Sequence, residues 1–74
     1  MDIKKIELNN EINETLENAY ALEIEMIKNK RYDLAKEIRR TTSVIVHRLI
    51  EVSGLQKNLT AFWNDKKALS QNIN

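Results

Sequence analysis

The apolar residues in the first part of the chain recur with the period of an α-helix. Between residues 3 and 29 they stand three, four or seven positions apart, and glutamates occupy the opposite side of the helical wheel. The stripe is formed by Leu8, Ile12, Ala19, Leu22 and Met26, and Leu16 and Ile27 widen it. The pattern predicts an amphipathic first helix whose cap is either Asp2 or the pair Asn9–Asn10.

One acidic residue stands inside this apolar stripe. Glu23 is flanked on the wheel by Leu16, Ala19 and Met26. A carboxylate in such a position reaches water at the rim of the packed surface, pairs with a basic residue of another helix, or belongs to a site. We expect one of the two structural roles, because no second acid–base group accompanies Glu23.

A second amphipathic helix is predicted from Leu34 to about Val52. Residues Asn29 to Asp33 form a short turn before it, and Asp33 is a suitable N-cap. Because a short loop makes consecutive helices antiparallel neighbours, the two helices should form a hairpin. The apolar face of the second helix consists of Leu34, Ala35, Ile38, Ile45, Leu49 and Val52.

The chain after Ser53–Gly54 has two interpretations. Since a glycine commonly follows the last residue of a helix, one interpretation ends the second helix there and folds back a third helix over residues 56–71. The apolar side of that third helix carries Leu59, Phe62, Leu69 and Ile73. In the other interpretation, an unslipped heptad spacing from residue 34 to residue 73 continues one long helix through Gly54 as a coiled-coil seam. We favour the break, because the unbroken register also contains polar and charged residues.

Composition narrows the class of protein. The chain has 74 residues with one glycine, no proline and no cysteine. We therefore expect one small helical domain, residues 1–74, without a disulfide framework or a cysteine-based metal site. The core of so short a chain is marginal unless it is shared, which favours self-association. The sequence shows neither a run of about 18 apolar residues nor a signal peptide, so a cytoplasmic protein without membrane contact is expected.

Charge is distributed in two blocks of opposite sign. Residues 1–27 contain seven acidic and two basic side chains, whereas residues 28–48 contain two acidic and seven basic ones. Such blocks usually neutralise each other, within a chain or between copies. The basic block includes a strip that helical spacing places on one side, where it suits the binding of phosphates. This strip, Lys36, Arg39, Arg40 and His47 with Ser43 among them, supports an alternative hypothesis of a nucleic-acid-binding helical dimer.

No catalytic constellation is visible in the sequence. His47 is the only histidine, and no partner residue stands at a spacing that completes a triad or a metal site. We therefore expect no enzyme activity, no metal and no cofactor. The aromatic pair Phe62–Trp63, with Lys66 one turn later, is the candidate surface for binding a protein partner, since tryptophan is enriched in binding hot spots. In the alternative, the pair belongs to the core and its rim.

The run from Ser43 to Ile50, SVIVHRLI, is similar to the S-x-x-x-D-x-L-I motif of the small helical-hairpin aspartyl-phosphate phosphatases of sporulating bacilli. His47 stands where that motif has its essential aspartate. The similarity covers eight of the 74 residues. It implies a helical hairpin that docks on a partner without phosphatase activity.

These features together predict an all-α protein. The expected architecture is an antiparallel helical hairpin with a third helix, or with a long overhanging second helix, packed in the manner of a coiled coil. The expected function is that of a non-enzymatic interaction module: a small regulator, inhibitor or chaperone-like adaptor that binds another protein and associates with itself.

Overall fold

Three α-helices make up the fold. A computed structural model describes the backbone of residues 3–73 and the side chains of residues 3–67. Helix α1 spans Ile3–Lys28, α2 spans Tyr32–Ser53 and α3 spans Leu59–Ile73. The prediction of an all-α hairpin with a third helix is confirmed. The side chains of Leu69 and Ile73 lie outside the described residues, as does Asp2.

The turn between α1 and α2 closes α1 with a Schellman motif. Lys30 adopts a left-handed conformation with φ of 61°. The N–H of Lys30 donates to the carbonyl of Ile27 at 3.0 Å, and the N–H of Arg31 donates to the carbonyl of Met26 at 2.8 Å. These two bonds satisfy carbonyls that the end of a helix otherwise leaves without partners.

The beginnings of α1 and α2 differ from the sequence prediction. Asn9 and Asn10 lie inside α1, so a first helix that begins after them is wrong. The N-cap of α2 is Arg31, which makes no side-chain capping bond, and Asp33 lies inside the first turn of α2. The predicted N-cap role of Asp33 is therefore wrong: the tight turn returns the chain to helical geometry earlier. The Asp33 carboxylate still lies where the helix dipole favours a negative charge.

Helix α2 ends at the single glycine. Gly54 has φ of 75° and ψ of 18°, and its N–H donates to the carbonyl of Ile50 at 3.0 Å. Asn58 then starts α3, because its Oδ1 accepts a hydrogen bond from the N–H of Ala61 at 3.1 Å. The interpretation of one long helix through Gly54 is wrong, since a left-handed glycine and a new N-cap interrupt it.

The core lies where all three helices meet. Its fully buried side chains are Ile12 and Leu16 from α1 and Val46 from α2. The partly buried side chains around them are Leu8, Ile50, Leu55, Leu59, Phe62 and Trp63. On α2 the sequence pattern pointed to Ile45, whereas Ile45 is 54 % exposed and its neighbour Val46 is 1 % exposed. The predicted apolar face of α2 is thus only partly used for packing.

Helix α3 folds back beside the hairpin and runs in the same direction as α1. Near its start Lys57 donates a hydrogen bond to Asn13, and near its middle Lys66 bonds to Glu17 at 2.8 Å. The close backbone packing among the described residues is that of α1 on α2, so α3 is attached mainly through long side chains. The coiled-coil form of packing stays a prediction.

None of the helices in residues 3–73 combines the length and apolarity needed to cross a bilayer.

Candidate functional site

A partly buried ion pair lies at the junction of the three helices. Glu23 of α1 is 4 % exposed. The Arg39 guanidinium of α2 meets it with two bonds, Nε to Oε1 at 2.7 Å and Nη2 to Oε2 at 2.8 Å. Such a bidentate pair satisfies the carboxylate that interrupts the apolar stripe of α1. The prediction that Glu23 has a structural role is confirmed.

Trp63 of α3 covers this ion pair. The Arg39 guanidinium carbon lies 4.7 Å from the centroid of the Trp63 ring, within the range of a cation–π contact. The indole Nε1 donates a hydrogen bond to the Ser43 hydroxyl at 3.0 Å. Phe62 meets Trp63 edge to face, with ring centroids 4.9 Å apart and an interplanar angle of 78°. Both aromatic side chains are partly buried.

Lys66 lies on the other side of Phe62 and joins α3 to α1. Its ammonium bonds to the Glu17 carboxylate at 2.8 Å, and it stands 5.0 Å from the Tyr20 ring centroid and 5.3 Å from that of Phe62. The structure therefore brings the three predicted partner-binding residues, Phe62, Trp63 and Lys66, together. All three contact α1 or α2, as a core-and-rim placement implies. Their use by a partner protein stays a prediction.

The basic strip of α2 does not form one continuous surface. Arg39 turns toward the core and binds Glu23. Arg40 is exposed and bonds to Glu37 at 3.0 Å, a contact whose hydrogen bond and charge raise the pKa of the Arg40 guanidinium. Lys36 is exposed on the same helix. Of the four residues in the strip, Arg39 is therefore used inside the fold and Arg40 is paired with an acid on its own helix.

His47 is an exposed residue at the surface of α2. Its Nε2 lies 3.8 Å from the Glu51 carboxylate, with the two side chains 74 % and 60 % exposed. This is the position where the phosphatase motif has its aspartate. Among the described residues, no group of three or more His, Cys, Asp or Glu side chains is arranged to hold a metal ion.

A long apolar groove lies on the side of the hairpin that α3 does not cover. We call this surface the open face. Its apolar lining consists mainly of Leu22, Met26, Leu34, Ile38, Ile45 and Leu49. Leu22 is 49 % exposed and Ile45 is 54 % exposed, so large aliphatic side chains on both helices remain in contact with solvent. A second stretch of the open face lies nearer the start of α1, where Leu8, Ile45 and Leu49 are among the lining residues.

The helical wheel explains why the two sides of the hairpin are distinct. On α1 and on α2, the residues named for the open face lie roughly 60° or more from the residues on the side of α3, and the pairs Leu22 and Glu23, and Ile38 and Arg39, lie about 100° apart. Glu23 and Arg39 mark the side covered by α3, and Leu22 and Ile38 mark the open side. Each helix therefore carries an apolar arc wider than one neighbour can bury.

Sequence reasoning assigned the open-face residues to the core and did not identify them as a surface. The sequence feature that could have identified this surface is the width of the apolar arcs on both helices. These arcs are wider than the contact between two helices requires. The Trp63–Ser43 hydrogen bond had no signal in the local pattern, because it joins residues 20 positions apart. No family model, curated protein or solved structure matches the chain.

Proposed function

We propose that the protein is a non-enzymatic interaction module of the cytoplasm that presents a helical surface to another protein, as a small regulator, an inhibitor or a chaperone-like adaptor does. The binding surface in this proposal is the open face. Phe62, Trp63 and Lys66, whose use by a partner protein stays a prediction, hold α3 against the hairpin through contacts with α1 and α2.

The observation that carries the proposal is the exposed apolar groove between α1 and α2. Single apolar residues on a surface are ordinary, whereas large apolar side chains that lie together in solvent commonly mark an interaction site. Here aliphatic side chains of both helices line two stretches between α1 and α2: Leu22 and Leu34 line the one near the hairpin turn, and Ile45 and Leu49 line the other. A groove between two helices is a known receptor for an amphipathic helical surface.

Two ionisable groups near the groove are paired with arginines, which is consistent with a binding surface rather than with an acid–base catalyst. Glu37 borders the groove and is bonded to Arg40. The buried Glu23 lies on the other side of the hairpin with its charge neutralised by Arg39. An acid–base mechanism needs titratable groups within reach of one substrate position, and the open face offers aliphatic side chains instead.

Capture in the native host tests the proposal. Tagged wild-type protein and two variants, Ile45→Lys and Val44→Lys, are compared by pull-down and mass spectrometry. Ile45 and Val44 are neighbouring β-branched residues that are 54 % and 60 % exposed, but only Ile45 lines the open face. We expect Ile45→Lys to lose the captured protein and Val44→Lys to keep it. Equal capture by all three proteins contradicts the assignment of the open face.

The nucleic-acid hypothesis stays a prediction. It rests on Lys36, Arg40 and His47 once Arg39 is engaged with Glu23. A binder of this kind shows an affinity that falls steeply with salt, because each phosphate contact releases counterions. The hypothesis is rejected if the fluorescence anisotropy of labelled DNA and RNA does not change when the protein is added at low salt.

A further inference from the structure

We infer that a second copy of this chain occupies the open face, with α1 of each copy lying against α2 of the other. The inference rests on the proposed function, because it names the occupant of the same surface. The result is a four-helix core made of two hairpins, in which both α3 helices lie on the outside.

The dimensions of the open face fit a second hairpin. Helix α1 has 26 residues and α2 has 22. At 1.5 Å per residue the longer helix extends about 39 Å, and two packed helices are about 20 Å wide. The whole face of the hairpin therefore measures roughly 800 Å², which is the largest footprint a second hairpin can have on it and is close to the area that each partner buries in a standard stable interface. A second copy has a face of the same length and width, because it is the same hairpin.

The apolar surface is shared between both helices, which also favours a hairpin as the occupant. Leu22 lies on α1, and Leu34, Ile45 and Leu49 lie on α2; each is more than a third exposed. A single docked helix fills the middle of a groove and covers the outer shoulders of its walls less completely. Two helices facing two helices cover both shoulders, as in a four-helix bundle.

Charged residues at the rim of the open face favour one relative orientation of the two copies. Glu11 of α1 borders the stretch of groove that Ile45 and Leu49 line. Arg48 of α2 lies between Ile45 and Leu49 in the chain, and on the helical wheel it is about 60° from Ile45 on the side away from α3. Its only acidic neighbour within salt-bridge range among the described residues is Glu51 at 4.0 Å. Within one copy the width of the groove separates Glu11 from Arg48.

Glu11 and Arg48 of different copies can meet if the two copies are related by a two-fold axis parallel to the helices. It places α1 of one copy over α2 of the other at the same level, so that Glu11 of each copy meets Arg48 of the other. Two-fold contacts are reciprocal, and the pair forms twice. The other two-fold axis, perpendicular to the helices, places α1 of one copy on α1 of the other, and α1 has six glutamates against three lysines. Like charges oppose that arrangement.

The contacts of α3 remain intact in this assembly. Trp63 on Arg39, and Lys66 on Glu17, lie on the covered side of the hairpin. The second copy approaches from the other side and displaces none of them. The dimer therefore forms from the monomer fold without rearrangement.

Sedimentation velocity measures the assembly directly. Wild-type protein is examined from about 1 µM to about 1 mM, the range in which micromolar dissociation constants are resolved. We expect a species of twice the chain mass to form with rising concentration. Ile45→Lys should weaken dimerisation about 100-fold while Val44→Lys leaves it unchanged, and circular dichroism should show wild-type helix content in both. A wild-type chain that stays monomeric over the whole range overturns the inference.

Charge-reversal variants test the pairing itself. Glu11→Arg and Arg48→Glu each place like charges at both rim contacts, so each variant alone should dimerise at least tenfold more weakly than the wild type. Mixing them should restore dimers, because the mixed pair again has opposite charges at both contacts. This recovery requires both variants to be folded. Mixed samples that stay monomeric overturn the arrangement of α1 against α2.

The outcomes distinguish this inference from the proposed function. If the chain is monomeric and a host protein is captured by the wild type and by Val44→Lys but lost with Ile45→Lys, the second copy is the wrong occupant. The open face is then still a binding surface for that protein. If neither self-association nor capture depends on Ile45, both proposals fail.

Discussion

Replacing Arg39 by alanine should destabilise the fold strongly. The substitution removes both hydrogen bonds to Glu23, at 2.7 and 2.8 Å, and leaves a carboxylate on a side chain that is 5 % exposed. It also removes the cation that lies 4.7 Å from the Trp63 ring centroid. An unpaired buried charge is costly because water no longer solvates it and no cation compensates.

The size of the effect follows from the exposure of the two partners. Breaking a fully buried ion pair costs about 3 to 5 kcal/mol, but the Arg39 side chain is 45 % exposed and solvent screens part of the pair. We therefore expect the pair to account for about 2 kcal/mol, and the cation–π contact for up to about 1 kcal/mol more. A domain of this length has a total free energy of unfolding of roughly 4 to 11 kcal/mol. A loss of about 3 kcal/mol lowers Tm by roughly 12 to 24 °C.

Thermal and urea unfolding, followed by circular dichroism at one fixed protein concentration, measure this loss. Arg40→Ala is the matched control, since Arg40 is the next residue on α2 and its partner Glu37 is exposed. Its melting curve should coincide with that of the wild type. The double substitution Glu23→Met with Arg39→Met removes both charges and should recover most of the lost stability. The reasoning is refuted if Arg39→Ala and Arg40→Ala unfold alike, or if the double variant is no more stable than Arg39→Ala.

Three further predictions concern the ends of the helices. Gly54→Ala should lower the free energy of unfolding by about 1 to 2 kcal/mol through backbone strain; crowding adds little, since an added Cβ meets only the Lys5 Nζ at 3.9 Å. An unchanged urea midpoint contradicts this. Lys30→Gly should raise the stability by about 0.5 kcal/mol, because glycine adopts a positive φ without the penalty of a side chain; a lower midpoint refutes it. Asn58→Ala should cost about 1 kcal/mol by removing the cap of α3, whereas Asn58→Asp keeps a capping oxygen and should retain wild-type stability in the same urea titration.

The helices themselves could be predicted from the sequence because the patterns that indicate them involve residues close together in the chain. An apolar residue every three or four positions defines an amphipathic helix whatever its surroundings. The end of α1 was predicted to within one residue, whereas its start was left open between Ile3 and the residue after Asn10. Gly54 was a candidate stop for the same reason, since the left-handed conformation of a glycine is a property of one residue. The pairing of Glu23 was foreseen as a class of contact, because a carboxylate in an apolar stripe needs a partner.

The candidate site was much less accessible. Arg39 appeared to belong with Lys36 and Arg40 on one strip, and only the packing of α1 against α2 shows that Arg39 pairs with Glu23 whereas the other two do not. The start of α2 was misjudged because the Schellman turn at Lys30 depends on two backbone hydrogen bonds that no side-chain pattern reveals. Val46 is buried where Ile45 was expected, since one position on a helix corresponds to a rotation of about 100°.

The sequence by itself determined that this protein is made of amphipathic helices, and it marked Gly54 as the place where a long helix either stops or continues. It also determined which residues form the apolar arc of each helix, all of which were assigned to the core. Which part of that surface is covered was decided by the tertiary structure. Helix α3 binds the side that carries Glu23, Arg39 and Ser43, through contacts between residues as far apart as 49 positions in the chain. Local periodicity fixes the direction of each side chain around its own helix. It contains no information on which other helix packs against that side chain, and so only the packing of all three helices revealed the open face.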